Sequence, residues 1–113
     1  MAYAYLRQKG YSVVARNYCS NYGEIDLIAT KGESLLFVEV KLRDKNCSYR
    51  PCEAVTISKQ RKIIKTAALF LQEHPGAWNA QFAVMEIYQT RPENCSIQLI
   101  ENAFEPEEGY VFF

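Results

Sequence analysis

No apolar run in this chain approaches the roughly 18 residues that a membrane-spanning helix needs, so no segment reads as one. The start, Met1-Ala2-Tyr3-Ala4-Tyr5-Leu6-Arg7, has no basic region followed by an apolar core. It does not read as a signal peptide, and the cytoplasm is the expected compartment. Histidine occurs once, at His74, and no two of the four cysteines (Cys19, Cys47, Cys52, Cys95) stand in C-x2-C spacing. That excludes a sequence-evident zinc site or dithiol redox motif and leaves reduced, partly buried thiols as the expectation. Glycine and proline number only 5 and 4, and no repeat or low-complexity linker occurs, so a collagen-like or disordered chain is excluded. A net charge of zero removes whole-domain basicity, the stronger sequence sign of nucleic-acid binding.

What remains is an ordinary globular composition. The chain has 113 residues, of which 49% are hydrophobic and 23% charged. This length predicts a single domain over residues 1–113, able to bury about two-thirds of its unfolded surface without staples. The zero net charge hides an uneven distribution. Residues 1–40 balance; residues 41–65 carry eight basic side chains against Asp44 and Glu53; residues 66–113 carry Arg91 against seven glutamates. The basic block suits a polyanion, or equally a solvated helix face offsetting an acidic tail.

The expected elements run helix, three strands, helix, two strands. Ala2 to Lys9 reads as a short helix capped by Gly10. Tyr11 to Asn17, Tyr22 to Ala29 and Leu35 to Leu42 read as strands, with a hairpin turn at Thr30-Lys31-Gly32-Glu33. Asp44 to Pro51 reads as a polar loop. A helix begins between Glu53 and Ser58 and runs to Glu73. Its apolar stripe is Ile64, Ala67, Ala68 and Leu71, with Lys59, Lys62 and Thr66 on another side. His74-Pro75-Gly76 ends it. Gln81 to Tyr88 and Ser96 to Ile100 read as strands. A hairpin followed by a helical crossover implies an α/β fold with a mixed five-stranded sheet flanked by helices.

Ionisable residues gather in the hairpin. Alternate residues of a strand share a face, so Glu24 pairs with Asp26 and Glu39 with Lys41, while Val38 and Val40 point away. If the two strands are antiparallel neighbours, four ionisable groups meet on one patch. One reading is a structural salt bridge, Glu39 or Asp26 to Lys41, on a solvent-facing sheet surface. The other is a functional cluster. Two carboxylates one strand spacing apart make a hard oxygen site for Mg²⁺ or Mn²⁺. An adjacent lysine can orient or deprotonate water, or stabilise developing negative charge. Together these meet the needs of phosphodiester hydrolysis.

At these residues the chain resembles a known family. Asp26 followed by Glu39-Val40-Lys41 is similar to the PD-(D/E)XK core of restriction-endonuclease-like nucleases. The longer strings Gly23-Glu24-Ile25-Asp26-Leu27-Ile28-Ala29 and Phe37-Val38-Glu39-Val40-Lys41-x-Arg43 resemble the YraN-like bacterial proteins, regarded as endonucleases related in fold to Holliday-junction resolvases. Ala4-Tyr5-Leu6-x3-Gly10-Tyr11, Ala15-Arg16-Asn17, Glu53-Ala54-Val55 and Lys59-Gln60-x-Lys62 fit the same pattern, over about residues 3 to 90. The resemblance implies a restriction-endonuclease-like fold and a divalent-metal-dependent endonuclease acting on DNA, with branched or structured DNA as a candidate substrate. Asp26 and Glu39 would then be metal ligands for Mg²⁺ or Mn²⁺, with the Val40 carbonyl a third, and Lys41 the catalytic lysine. Glu24 would lie beside the site. Gln60 resembles the helical residue that supports the site in some relatives, with Lys59 as the alternative. Arg43, Lys59, Arg61 and Lys62 would contact phosphate, making binding salt-sensitive. Resolvase-like action would require a homodimer.

The chain departs from the family pattern in three places. The first helix holds no Asp or Glu, Gln81 and Ala83 stand where an Arg and an Asp are usual, and Tyr49-Arg50 stands where a Gly is common. These departures motivate the alternative of a catalytically inactive nucleic-acid-binding module. Among the aromatics, Tyr3, Tyr5, Tyr11, Tyr18 and Tyr22 are expected to half-cover the core, with base stacking as the other use. Trp78 is expected to pack. Glu105-Pro106-Glu107-Glu108-Gly109 reads as a turn, and Tyr110-Val111-Phe112-Phe113 as an apolar end.

Overall fold

The computed structural model describes residues 2–44, 55–91 and 94–105, with side chains for 2–42, 55–88 and 95–105. Helix α1 spans Ala2–Gln8, followed by strands β1 (Ser12–Cys19), β2 (Glu24–Lys31) and β3 (Ser34–Asp44). Helix α2 (Ile57–Glu73) then leads to β4 (Asn79–Arg91) and β5 (Asn94–Phe104). The strands form one sheet in the order β1-β2-β3-β4-β5. Pairing is antiparallel except between β3 and β4, which run parallel. A parallel pair needs a crossover, and α2 supplies it. The result is the mixed five-stranded α/β sheet expected from the sequence, in keeping with a restriction-endonuclease-like fold.

Local chemistry explains the joints. Gly10 sits at φ +91°, a conformation open to glycine, and lets the chain leave α1 for β1. Lys31 pairs with Ser34, so the β2–β3 loop is a two-residue turn, with Gly32 at φ +60° in its first central position. Thr56 caps α2 by accepting from the Lys59 amide at 3.2 Å. At the other end the His74 amide donates to the Phe70 carbonyl.

Strand β3 is apolar on both faces, as a central strand covered on both sides must be. Leu35 and Phe37 join the layer under α2, where Phe37 meets Phe70 edge-on at 5.9 Å and stacks on Phe82 at 5.5 Å. Leu36 and Val38 join the opposite layer, which also buries Leu6 of α1. Residues 35, 37, 39 and 41 share one face. The strand therefore delivers Glu39 and Lys41 to the α2 side, beyond the edge of the apolar layer, where α2 begins.

Some expectations require correction. The buried face of α2 is centred on Ile63, Ile64, Thr66, Ala67 and Phe70, with Ala68 and Leu71 at its margin. Thr66 is wholly buried, because its hydroxyl donates to the Lys62 carbonyl (2.9 Å) and shares a hydrogen bond with Ser20 Oγ (2.8 Å). Strands β4 and β5 outrun their apolar stretches, since ladder bonds come from the backbone whatever the side chain. The thiols of Cys19 and Cys95 are exposed rather than partly buried. Tyr22 is 50% exposed and does not cover the core. The readings of the 45–51 loop, of Cys47 and Cys52, and of the C-terminal turn and apolar end after Glu105 lie outside the described residues.

Candidate active site

The β2–β3 ladder runs from Lys31↔Ser34 to Leu27↔Val38 and then stops. The next residue on β2 is Asp26. Its carboxylate continues the ladder in place of the backbone, as Oδ2 accepts the Val40 amide at 2.8 Å. The two strands part here, and a cleft of about 360 Å³ opens between them and the first turn of α2. Its walls include Glu24, Asp26, Glu39, Lys59 and Lys62. Thr56 and Ser58, from the start of α2, also line it; sequence reasoning had singled out neither. An N-cap threonine before a helical repeat was the available signal.

Glu39 is the buried charge of this cleft, at 6% exposure. A buried carboxylate is costly unless paired. Two ammonium groups serve it: Lys59 Nζ lies 2.5 Å from Oε1 and Lys41 Nζ 3.6 Å from the same atom. The Glu39–Lys41 ion pair open from the pattern alone is therefore present, but on a buried carboxylate rather than on a solvent-facing sheet surface. The lysines differ. Burial is the main influence lowering the Lys41 pKa, and the adjacent Lys59 lowers it further against the pull of Glu39. The Lys59 pKa is raised, first by its hydrogen bond to Glu39.

The structure brings Asp26, Glu39 and Lys41 together with Glu24 at one end of the sheet, and adds Lys59 from α2. Of the two helical residues named from the sequence, Lys59 reaches Glu39. Gln60 turns its amide to the Val55 carbonyl at 3.1 Å, within the turn that starts the helix. Lys62 lines the cleft with its side chain exposed. Arg61 is on the exposed surface of α2, and Arg43 lies on β3 with its side chain outside the described residues. Sequence reasoning passed over Glu86. It stands opposite Lys41 in the β3–β4 register and is completely buried. The signal was a lone carboxylate inside the apolar run Val84-Met85-Glu86-Ile87.

The donor set suits a hard cation. Asp26 and Glu39 offer carboxylate oxygens to the same cleft. Among the described residues no third His, Cys, Asp or Glu joins them in a metal-sized group. A site with two carboxylates leaves most positions to backbone oxygen and water. Mg²⁺, which keeps several waters, tolerates that arrangement better than Ca²⁺ or Zn²⁺ does.

A protein-family model described as "Uncharacterised protein family UPF0102" matches residues 1–87. A UPF0102 protein of Syntrophus aciditrophicus (strain SB) is 42% identical over 110 residues, covering 96% of this chain and 86% of the relative. One from Acinetobacter baumannii (strain AYE) is 43% identical over 112 residues, covering 88% and 84%. One from Chlorobium chlorochromatii (strain CaD3) is 37% identical over 113 residues, covering 96% and 88%.

Proposed function

The chain belongs to the UPF0102 family, that of the YraN-like proteins, and from that premise we propose that it is a divalent-metal-dependent endonuclease hydrolysing DNA phosphodiester bonds. The reading takes residues 1–113 as one domain. The observation that carries it is the placement of Asp26 and buried Glu39 where β2 and β3 part, with Lys41 and Lys59 on the same carboxylate.

In this reading Asp26 and Glu39 hold Mg²⁺ or Mn²⁺, with the Val40 carbonyl as a further oxygen. A divalent cation held there would supply Lewis acidity and make a bound water more acidic than bulk water. The protein's own groups do the rest. The Val40 amide holds the Asp26 carboxylate in place, so its orientation does not depend on a ligand. Lys41 stands within 3.6 Å of Glu39 and places a positive charge where negative charge develops on the phosphoryl oxygens. The first turn of α2 adds the positive end of a helix to the cleft, which favours a phosphate there. Lys62, with Arg43 and Arg61, would hold flanking phosphates.

One observation favours a second reading, a module that binds nucleic acid without cutting it: α1 carries no acidic residue. Cleavage of circular and branched DNA with Mg²⁺ separates the two. The endonuclease reading expects nicking by the parent and a loss of about 100-fold or more in Asp26→Ala. Salt-sensitive retention of DNA with equal, metal-independent inactivity in both proteins would establish the module instead.

A further inference from the structure

The parting of β2 and β3 opens the sheet on both faces. Asp26 lines the candidate active site on the α2 side and also a second cleft, of about 370 Å³, on the α1 side. Tyr3, Arg16, Asn17, Val40 and Leu42 are among the residues that wall the second cleft. Its chemistry is unlike that of the first.

Arg16 is exposed, and its guanidinium lies 4.1 Å from the centre of the Tyr3 ring. Arg7 approaches the same ring at 5.7 Å. An aromatic face under a guanidinium fixes the plane of that group and leaves its N–H donors directed outward. The ion pairs among the described residues do not involve Arg16. The carboxylate at this cleft, Asp26, is engaged with the Val40 amide. Beside this cation lies apolar surface: Leu42 is 74% exposed and Val40 half-buried. Asn17, at the cleft wall, takes φ +49°, a conformation uncommon outside glycine.

A bare inorganic anion would use Arg16 and leave Leu42 and Val40 idle. An apolar peptide would use Leu42 and leave Arg16 idle. A nucleotide uses both, and this cleft adjoins the candidate active site, since Asp26 lines the two. A base inside a duplex has its faces stacked and cannot enter. We propose that this second cleft receives an unpaired nucleotide adjoining the phosphate that is cut, its own phosphate on Arg16 and its base against Leu42 and Val40. The substrate class is then DNA with a single-stranded segment at the cleavage point. This rests on the nuclease reading above and narrows it.

Fluorescence anisotropy with two labelled probes tests it, at low salt and without divalent metal so that nothing is cut. One probe is a blunt duplex; the other is the same duplex with a single-stranded arm. The variants are Arg16→Gln and Leu42→Ser, both at exposed positions, with thermal melting as the check on folding. Each variant is expected to lose about tenfold in affinity for the armed probe, the scale of one hydrogen bond to a charged group or one buried leucine contact, while duplex binding stays unchanged. Lys62→Ala should weaken both probes. Unchanged affinity for the armed probe, or equal loss on both probes, would overturn the proposal and leave the nuclease reading intact. Failure of the parent to bind either probe would overturn the proposal, and the Mg²⁺ cleavage assay judges the nuclease reading separately.

Discussion

Asp26 is held by a backbone amide and not by another side chain. That distinction decides how its variants behave. Asp26→Ala removes the acceptor of the Val40 amide and the charge together, whereas Asp26→Asn keeps an acceptor and removes the charge alone. Lys59 presents the opposite case. Its ammonium sits on the Glu39 oxygen that a metal ion would take, so protein and metal compete for one carboxylate. We expect Lys59→Met to bind Mn²⁺ about five-fold more tightly than the parent in calorimetry, the size of a screened, partly exposed ion pair. Unchanged or weaker binding would mean that Lys59 does not contend for Glu39. The acidic pair and the lysine beside it were legible in the residues. Which of Lys59 and Gln60 reaches the site was not, because adjacent helical positions differ by about 100° in direction and pattern alone does not orient the helix.

Helix α2 shows what periodicity conveys and what it omits. Lys59, Lys62 and Thr66 share a helical side by their i, i+3, i+7 spacing, as the sequence indicated. Polar residues on one side suggested solvent. Instead that side faces the Ser20–Gly23 turn, and a Cβ on Gly23 would come within 3.2 Å of Lys62 Cβ. The same side is therefore cleft wall at its start and buried contact one turn later. Thr66→Val should cost about 1 kcal/mol in chemical denaturation, since it deletes the hydroxyl bonded to Ser20 at nearly constant volume. No change in the midpoint would show that contact to be idle. At the far end of α2, the Tyr18 phenol donates to Glu73 Oε1 at 2.9 Å. Its pKa is raised, by burial first and then by Glu73. A folded-state pKa above the unfolded one means that the phenol's contribution is whole below about pH 10 and is lost as pH climbs through the raised value. Ultraviolet titration of Glu73→Gln should show one tyrosine ionising at lower pH than in the parent; coincident curves would refute the pairing.

The molecule's zero net charge conceals a local design. Basic residues drawn from β3 and α2, well apart in sequence, meet around a carboxylate pair at one end of the sheet. The element order, the hairpin and the parallel crossover were legible because each rests on near-neighbour patterns: a two-residue glycine turn, an apolar central strand, an amphipathic helix. The split of the sheet was not. It depends on one side chain taking over a backbone hydrogen bond, and no spacing encodes that. Glu86 escaped for a related reason, since its position opposite Lys41 exists only once β3 and β4 are in parallel register. Among the described residues no helix is long and apolar enough to cross a membrane. The nuclease reading depends on whether the two carboxylates at the split hold a divalent cation. Calorimetric titration of Mn²⁺ into the parent and into Glu39→Ala, at low ionic strength and with melting curves to confirm that both are folded, decides it. Saturable binding in the parent and its loss in the variant is the expected result. Equal binding in both, or none in either, would contradict the metal site.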